Sequence, residues 1–376
     1  MRESIFLNAA LFKEHFSSVL ECFDVIFTTS VAGPLIIIYW QVTWHLMDIY
    51  ICPWNPFLSA VVTTAIGLTF GLILSIFQHY ICQRVTPEIG RVKYFVITRL
   101  YTYIAGVVNI GACRGVWNIL DLTEKDPLTT VFTTASSIIA LICLKALRNL
   151  EAAPFSVAID DDEGYFDAST FYRTSSRETA LYILDCVFSV TVVGSLVVFV
   201  WRGSWALLDI FLFPDDPSKS CWTSLIMGYS LVVITFSLQV PMRWAAAKLQ
   251  GAGRLLLVDV YHLVSFVATV NVWRGVWGLL DIYFYPQSPK LSNWSSHVVS
   301  LALLILLNCS NSILVRGVYI DAEEPAGDCV IFPCHYLRLF FHKERSKKRH
   351  KLAMVAAADR KLEEANVPLQ TPEEKV

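Results

Sequence analysis

Trp273-Arg274-Gly275-Val276-Trp277-Gly278-Leu279-Leu280-Asp281 closes a long apolar run, and its pattern stands twice more, at Trp201-Arg202-Gly203-Ser204-Trp205-Ala206-Leu207-Leu208-Asp209 and Cys113-Arg114-Gly115-Val116-Trp117-Asn118-Ile119-Leu120-Asp121. A divergent fourth copy, Trp40-Gln41-Val42-Thr43-Trp44-His45-Leu46-Met47-Asp48, keeps both tryptophans and the aspartate but has Gln41 in place of arginine. Each copy is followed by a short loop bracketed by proline, reading CPWNP, TEKDP, FPDDP and YPQSP, and then by another apolar run. Self-similarity of this kind marks a repeated structural unit.

The repeat is hierarchical. A shift of 161 residues aligns Asp24 with Asp185, Gly33 with Gly194 and Gly67 with Gly228, and a shift of 160 aligns Tyr101 with Tyr261. The chain therefore reads as two tandem halves, each made of two units. Of its 376 residues, 55% are hydrophobic, 13% aromatic and 16% charged, against roughly 25% charged in an average soluble domain. A helix needs about 20 apolar residues to cross a bilayer core of roughly 30 Å. Eight stretches qualify: 25–51, 57–81, 94–122, 129–147, 181–213, 222–244, 255–285 and 297–315.

The expected fold is an all-α integral membrane protein of eight transmembrane helices, arranged as four parallel two-helix repeats. An even number of helices per unit keeps all units in one orientation, about an axis along the membrane normal. Lys and Arg gather near cytoplasmic helix ends, and here they gather in the second loop (Arg84, Arg91, Lys93, Arg99), the sixth (Arg243, Lys248, Arg254) and the tail (Lys343, Arg345, Lys347, Lys348, Arg349). Both termini are then cytoplasmic and the proline loops external. The expected organisation is a cytoplasmic N-terminus at 1–24, a first four-helix half at 25–150, a cytoplasmic linker at 151–178, a second half at 179–316 and a basic tail at 317–376. The N-terminal stretch lacks the pattern of a signal peptide, so the first span is expected to act as signal and anchor.

Seven residues separate each motif arginine from its aspartate, about two helical turns, so both share a face with the tryptophans. Charge in a bilayer is costly, which turns this face toward protein or water. It comprises Gln41, Asp48, Arg114, Asp121, Arg202, Asp209, Arg274 and Asp281, with an aromatic layer of Trp40, Trp44, Trp117, Trp201, Trp205, Trp273 and Trp277. Helical side chains lean toward the N-terminus, so each arginine leans away from its own aspartate and takes partners from other helices. Two readings stand open: arginines that lock the bundle by pairing across helices, or a central pathway with separate carboxylate and guanidinium levels for an ion or small solute. The glycine beside each arginine fits close helix approach. Asp24, Asp185, Arg99 and Asp259 read as solvated helix ends, and Asp160 to Glu163 as a solvated charge run.

The ten cysteines are scattered singly and read as small buried hydrophobes, with a Cys52–Cys221 disulfide as the alternative for that pair. Cys329 and Cys334 stand beside aromatic and basic residues, a combination that fits palmitoylation with attachment to acidic lipids and equally a basic stop-transfer flank. Asn293-Trp294-Ser295 is a glycosylation sequon in the last outer loop. Glu374-Lys375-Val376 has the form of a C-terminal ligand for a PDZ groove. There is no P-loop, GxSxG, HExxH or Cys/His metal pattern, so neither enzymatic activity nor a cofactor is expected. Beyond the lipid bilayer, nothing points to nucleic acid as a partner.

The eight expected spans, the motif at Trp201 to Asp209 and Trp273 to Asp281, and the FPDDP and YPQSP loops resemble the Fuseless family of invertebrate eight-pass membrane proteins, over roughly 25–315. The resemblance implies a neuronal, presynaptic plasma-membrane protein that helps organise voltage-gated calcium channels with active-zone proteins in synaptic transmission. It carries no catalytic residues to this chain, and Gln41 departs from the motif. The other class in play is a small-solute or ion transporter or channel using the intramembrane Arg and Asp residues.

Overall fold

Eight helices carry the apolar sequence in the computed structural model, which describes residues 19–124, 126–160, 164–284, 287–315, 317–324, 327–332, 334 and 336. They are α1 Val19–Tyr50, α2 Pro56–Arg84, α3 Arg91–Thr123, α4 Pro127–Leu144, α5 Thr179–Phe211, α6 Pro217–Lys248, α7 Gly251–Tyr283 and α8 Pro289–Leu306. Among the described residues seven helices, α1 to α7, are long and apolar enough to cross a membrane; α8, of 18 residues, is not among them. The chain is an all-helical integral membrane protein.

Every even helix starts at a proline of the short loops, earlier than apolarity alone places it. Asn55, Asp126 and Asp216 cap α2, α4 and α6, accepting from the backbone N–H of Leu58 at 3.0 Å, Thr129 at 3.0 Å and Lys219 at 2.9 Å. A side-chain acceptor at the N-cap and a proline whose missing N–H costs nothing at the first position together fix a helix start. The last span corrects most, from 297–315 to Pro289–Leu306, because Asn308 turns into the left-handed region (φ 56°) and ends it.

The helices sort into two shells. The odd helices form an inner ring in which α1 and α5 each touch both α3 and α7. Within the apolar stretch of α7, 61% of residues are buried, against 17% in α2 and α6. The outer shell presents Ile66, Phe70, Phe77, Ile139, Val233, Ile234, Val299 and Leu306 outward, a surface suited to lipid. Each even helix packs chiefly on an odd helix across the linker end, α2 on α3, α4 on α5, α6 on α7, and α8 back on α1. The expected unit joined an odd helix to the even helix after its proline loop; the packed pair is shifted by one helix.

Glycine allows the tightest of these contacts. A Cβ on Gly67 of α2 would lie 2.4 Å from the backbone nitrogen of Ala112, and one on Gly275 of α7 2.7 Å from that of Leu225. The motif glycines Gly115 and Gly275 thus stand where two backbones touch, and Gly203 where α5 meets the Thr134 side chain of α4.

At the linker end the segments after α4 and α8 fold onto the helices and exchange contacts. Asp160, after α4, accepts from Ser310 N (3.0 Å), Ser310 Oγ (2.6 Å) and Asn311 N (2.7 Å) in the turn after α8. Asp321, after α8, accepts from Leu147 N (2.7 Å) and Arg148 N (2.8 Å) in the turn after α4. Each half therefore ties down the other's helix end. Asp160 also pairs with Arg99 at 3.1 Å. The expectation of solvated charges at these helix ends is overturned: Asp24, Asp160, Asp185 and Asp259 are all buried. Asp185 accepts from Tyr172 N, Thr174 N and the Thr170 hydroxyl, because the segment before α5 wraps over it and replaces water with backbone donors.

Cys52 and Cys221 are free, so the alternative of a disulfide between them is set aside. Residues Val25–Cys334 form one compact unit. The C-terminal Glu374-Lys375-Val376 and the basic cluster from Lys343 to Arg349 lie outside the described residues.

Candidate functional site: the axial ring

The motif residues of all four odd helices meet around the axis. Trp44 packs edge-to-face on Trp117 (ring centroids 5.7 Å apart), Trp117 on Trp205 (5.7 Å), Trp205 on Trp277 (5.8 Å) and Trp277 on Trp44 (5.7 Å), closing a ring of four indoles at interplanar angles of 82–87°. Edge-to-face geometry places the positive edge of one ring against the negative face of the next. One turn toward the linker end, Trp273 packs against both Trp40 (5.7 Å) and Trp201 (5.4 Å). That second tier has Cys113 in the fourth position. Because Trp40 meets Trp273 just as Trp44 meets Trp277, register advances together on α1 and α7, and the same pairs on α5 and α7 show that these helices run parallel.

Arginines link neighbouring odd helices in one rotational sense. Arg114 Nε donates to Asp48 at 2.8 Å, Arg202 Nε to Asp121 at 2.9 Å and Arg274 Nε to Asp209 at 2.8 Å, each arginine reaching the aspartate of the preceding odd helix. Gln41 closes the circle, its Nε2 donating to Asp281 at 2.7 Å and to the Trp277 carbonyl at 3.0 Å. His45 lies 3.6 Å from Asp281. The expectation of separate arginine and aspartate levels is thereby corrected. Residues seven apart differ by about 10 Å in height, but a long arginine stem spans that gap and carries the guanidinium to the neighbour's carboxylate.

Each guanidinium is also held from the outer shell. Arg114 donates to Ser59 Oγ (3.0 Å) and Thr63 Oγ1 (3.2 Å) of α2, Arg274 to Ser220 Oγ and Ser224 Oγ of α6 (both 2.6 Å), and Arg202 to Thr130 Oγ1 of α4 at 3.5 Å. These hydroxyls were missed from the sequence, yet their signal is there: Ser59, Thr130 and Ser220 stand third after the helix-starting proline, and Thr63, Thr134 and Ser224 seventh. Missed too was Glu124, which ends α3 and forms a second, buried ion pair with Arg202.

The ion pairs are lopsided in burial. The side chains of Arg114, Arg202 and Arg274 are 3–7% exposed, whereas Asp48, Asp121 and Asp209 are 44–56% exposed. Only Glu124, at 8%, is buried with its arginine.

Below the closed tryptophan ring lies a cavity of about 640 Å³ on the axis. All seven motif tryptophans line it, and its floor is made by segments 151–158 and 311–315. Trp273 Nε1 donates to the Ala153 carbonyl at 2.8 Å and Trp40 Nε1 to the Ile313 carbonyl at 3.0 Å, so the lower tier is pinned to the floor. Glu151, lining the floor, hydrogen-bonds His262 Nδ1 at 2.6 Å. Outside the spans, burial pushes the Asp321 carboxyl above its ordinary range, opposed by the charge of nearby His262 and by its two backbone donors.

The remaining residues singled out in the sequence lie apart from the ring. Cys329 and Cys334 are buried, Cys334 Sγ donating to the carbonyls of Pro154 and Phe155, so neither thiol is presented for palmitoylation. Packing of the tail segment against the linker segment withdraws them. Asn293 is buried in the first turns of α8 rather than displayed on a loop, a placement that withholds it from glycosylation. Among the described residues no group of three or more His, Cys, Asp and Glu side chains could hold a metal ion.

Compared with known proteins, residues 19–314 match the family model described as Fuseless. No curated protein and no solved structure matches the chain.

Proposed function

This chain belongs to the Fuseless family, and we propose that it works as a rigid eight-helix organiser of other membrane proteins, at presynaptic sites and on voltage-gated calcium channels, as the family resemblance implies. The observation that carries this reading is the pairing of every motif arginine. With guanidiniums bonded to neighbouring aspartates and to outer-shell hydroxyls, these charges tie seven of the eight helices, α1 to α7, into one body. A rigid body that presents a fixed surface suits organisation better than gating. We read it as four like-oriented units in two halves, on the support of the recurring Arg–Asp links and the ring of four tryptophans. The proline loops face outward and both termini the cytoplasm, on the support of the Lys and Arg distribution. No catalytic role is assigned.

A second reading, passage of a small solute, is favoured by one observation, the axial cavity. The two are separated by truncating the chain after residue 336 in neurons that lack the native protein. An organiser loses calcium-channel clustering at release sites while the truncated chain keeps its abundance; undiminished clustering and calcium influx would refute the organiser reading.

A further inference from the structure

The cavity on the axis has a chemistry that nothing in the organising role uses. Seven indoles line it, and among its described lining residues stand three carboxylates, Asp121, Glu151 and Glu324, against a single guanidinium, that of Arg148. His45 lines it as well. Arg148 itself is committed to Glu324 at 3.0 Å, and Glu151 to His262 at 2.6 Å. With Asp121 held by Arg202 at 2.9 Å, each of these charges has a partner, and an anion entering here finds no uncommitted guanidinium among the described lining residues. A cation would meet the half-exposed carboxylates of Asp121 and Glu324 together with tryptophan, the side chain whose π-face attracts cations most strongly.

The wall is not uniform. In the lower tier, where three copies of the motif place Trp40, Trp201 and Trp273, the fourth places Cys113. At that position the axial cavity meets a second one of about 200 Å³ lying among α2, α3 and α5, and the two share Cys113, Asn149, Val197, Val198, Leu314 and Gly317. Small residues of α2 and α3, Gly67, Gly71, Ala105 and Ala112, line the outer part. The missing indole therefore lets the two cavities adjoin at Cys113, the second being bounded by α2 of the outer shell.

We propose that the axial cavity binds an alkylated ammonium ion, held by the tryptophan tiers and the floor carboxylates and admitted through the gap at Cys113. A tetrahedral, weakly hydrated cation with an apolar surface suits both the aromatic wall and the apolar entrance, whereas a small metal ion, stripped of water, would find few oxygen ligands converging on one point. Binding does not require transport, so the proposal stands apart from the organising role and can fail without it.

The test uses the full chain purified in detergent, titrated with choline and with its uncharged carbon isostere 3,3-dimethylbutan-1-ol, and read by calorimetry and by tryptophan emission. Choline is expected to bind, with the isostere at least about tenfold weaker, since shape is retained and only the charge is lost. Cys113→Trp, which installs the residue found in the other three copies, is expected to slow choline association by at least about tenfold, followed as the time course of tryptophan emission after mixing, while melting no lower than the parent. Glu324→Gln, at a half-exposed carboxylate, removes one floor charge and is expected to weaken choline but not the isostere. Equal binding of choline and isostere would reduce the site to an apolar void and overturn the proposal. So would the absence of choline binding in folded protein, or a Cys113→Trp variant with an unchanged choline association rate.

Discussion

Arg202→Gln should destabilise the protein more than Arg274→Gln, although both remove the same side chain from the same motif. The difference lies in what is left behind. Arg274 pairs with Asp209, whose carboxylate is 56% exposed and can be taken over by water once the arginine is gone. Its hydroxyl partners Ser220 and Ser224 can turn to other acceptors. With hydrogen bonds to charged groups worth about 1.5–3 kcal/mol when buried and much less when exposed, the net loss is about 1–2 kcal/mol. Arg202 holds Asp121, 50% exposed, and also Glu124, 8% exposed. Stranding one partner of a buried pair costs about 3–5 kcal/mol, so the total for Arg202→Gln comes to about 4–6 kcal/mol.

The assay is apparent melting in detergent, followed as loss of the monodisperse species on heating, because unfolding of such a protein is judged by rate and rank rather than by equilibrium. Arg202→Gln should melt well below Arg274→Gln and Arg114→Gln, which should resemble each other, since Asp48 is 44% exposed. Adding Glu124→Gln to Arg202→Gln should recover at least half of the loss, because it removes the stranded charge. If Arg274→Gln melts as low as Arg202→Gln, or Glu124→Gln rescues nothing, the claim that burial of Glu124 sets the ranking is wrong.

Gln41→Arg should fold and melt within about 1 kcal/mol of the parent, either way, because Asp281 is 42% exposed and a new ion pair there is screened and opposed by His45; melting in detergent reads it. Gly67→Val should cost at least about 3 kcal/mol through forced separation of α2 from α3, where a Cβ would sit 2.4 Å from the Ala112 nitrogen; a cross-linked α2–α3 cysteine pair would report the widening as lost yield. Asp321→Ala should expose the amides of 147–150 to hydrogen exchange and Asp160→Ala those of 310–312, each variant loosening the turn of the other half. Asp321→Asn should be milder than Asp321→Ala, since burial already disfavours the charged carboxyl and the amide keeps an acceptor oxygen.

The shells of the bundle were legible, but their pairing was not. Trp201, Arg202 and Asp209 recur at fixed offsets, and period alone puts them on one helical face that cannot meet lipid. Which neighbour that face meets is a property of the closed ring, and no helix carries it in its own sequence. The α1–α8 contact joins residues some 250 positions apart, and it exists because the last outer helix has only the first inner helix left to pack on. Depth differs for another reason: Cα rise sets residues seven apart at about 10 Å in height, and the arginine stem bridges that height to reach the neighbouring aspartate. The clasp at the linker end was visible in part. Val157-Ala158-Ile159-Asp160 and Val318-Tyr319-Ile320-Asp321 stand at the same 161-residue shift as the helices. Acidic residues outside helices read as solvated by default, and only the crossing of the two segments shows that each aspartate is an acceptor for the opposite turn.

The imbalance of charge in the ring connects the divergent first copy with the cavity. Four aspartates and Glu124 face three guanidiniums, so among these residues the proline-loop end carries two carboxylates more than arginines. An arginine at position 41 would have halved that excess. Gln41 keeps the geometry, donating to Asp281 as the arginines donate to their own partners, while adding no positive charge. The ring is therefore complete as a hydrogen-bonded structure and incomplete as an electrostatic one. Half-exposed carboxylates at its outer rim add a field that favours cations near the axis, whereas the floor carboxylates Glu151 and Glu324 are paired with His262 and Arg148. An anion pathway along this axis would have to oppose that rim, whereas a bound cation is favoured by it. The substitution that looks like decay in the motif thus leaves the helices locked and the outer rim negative.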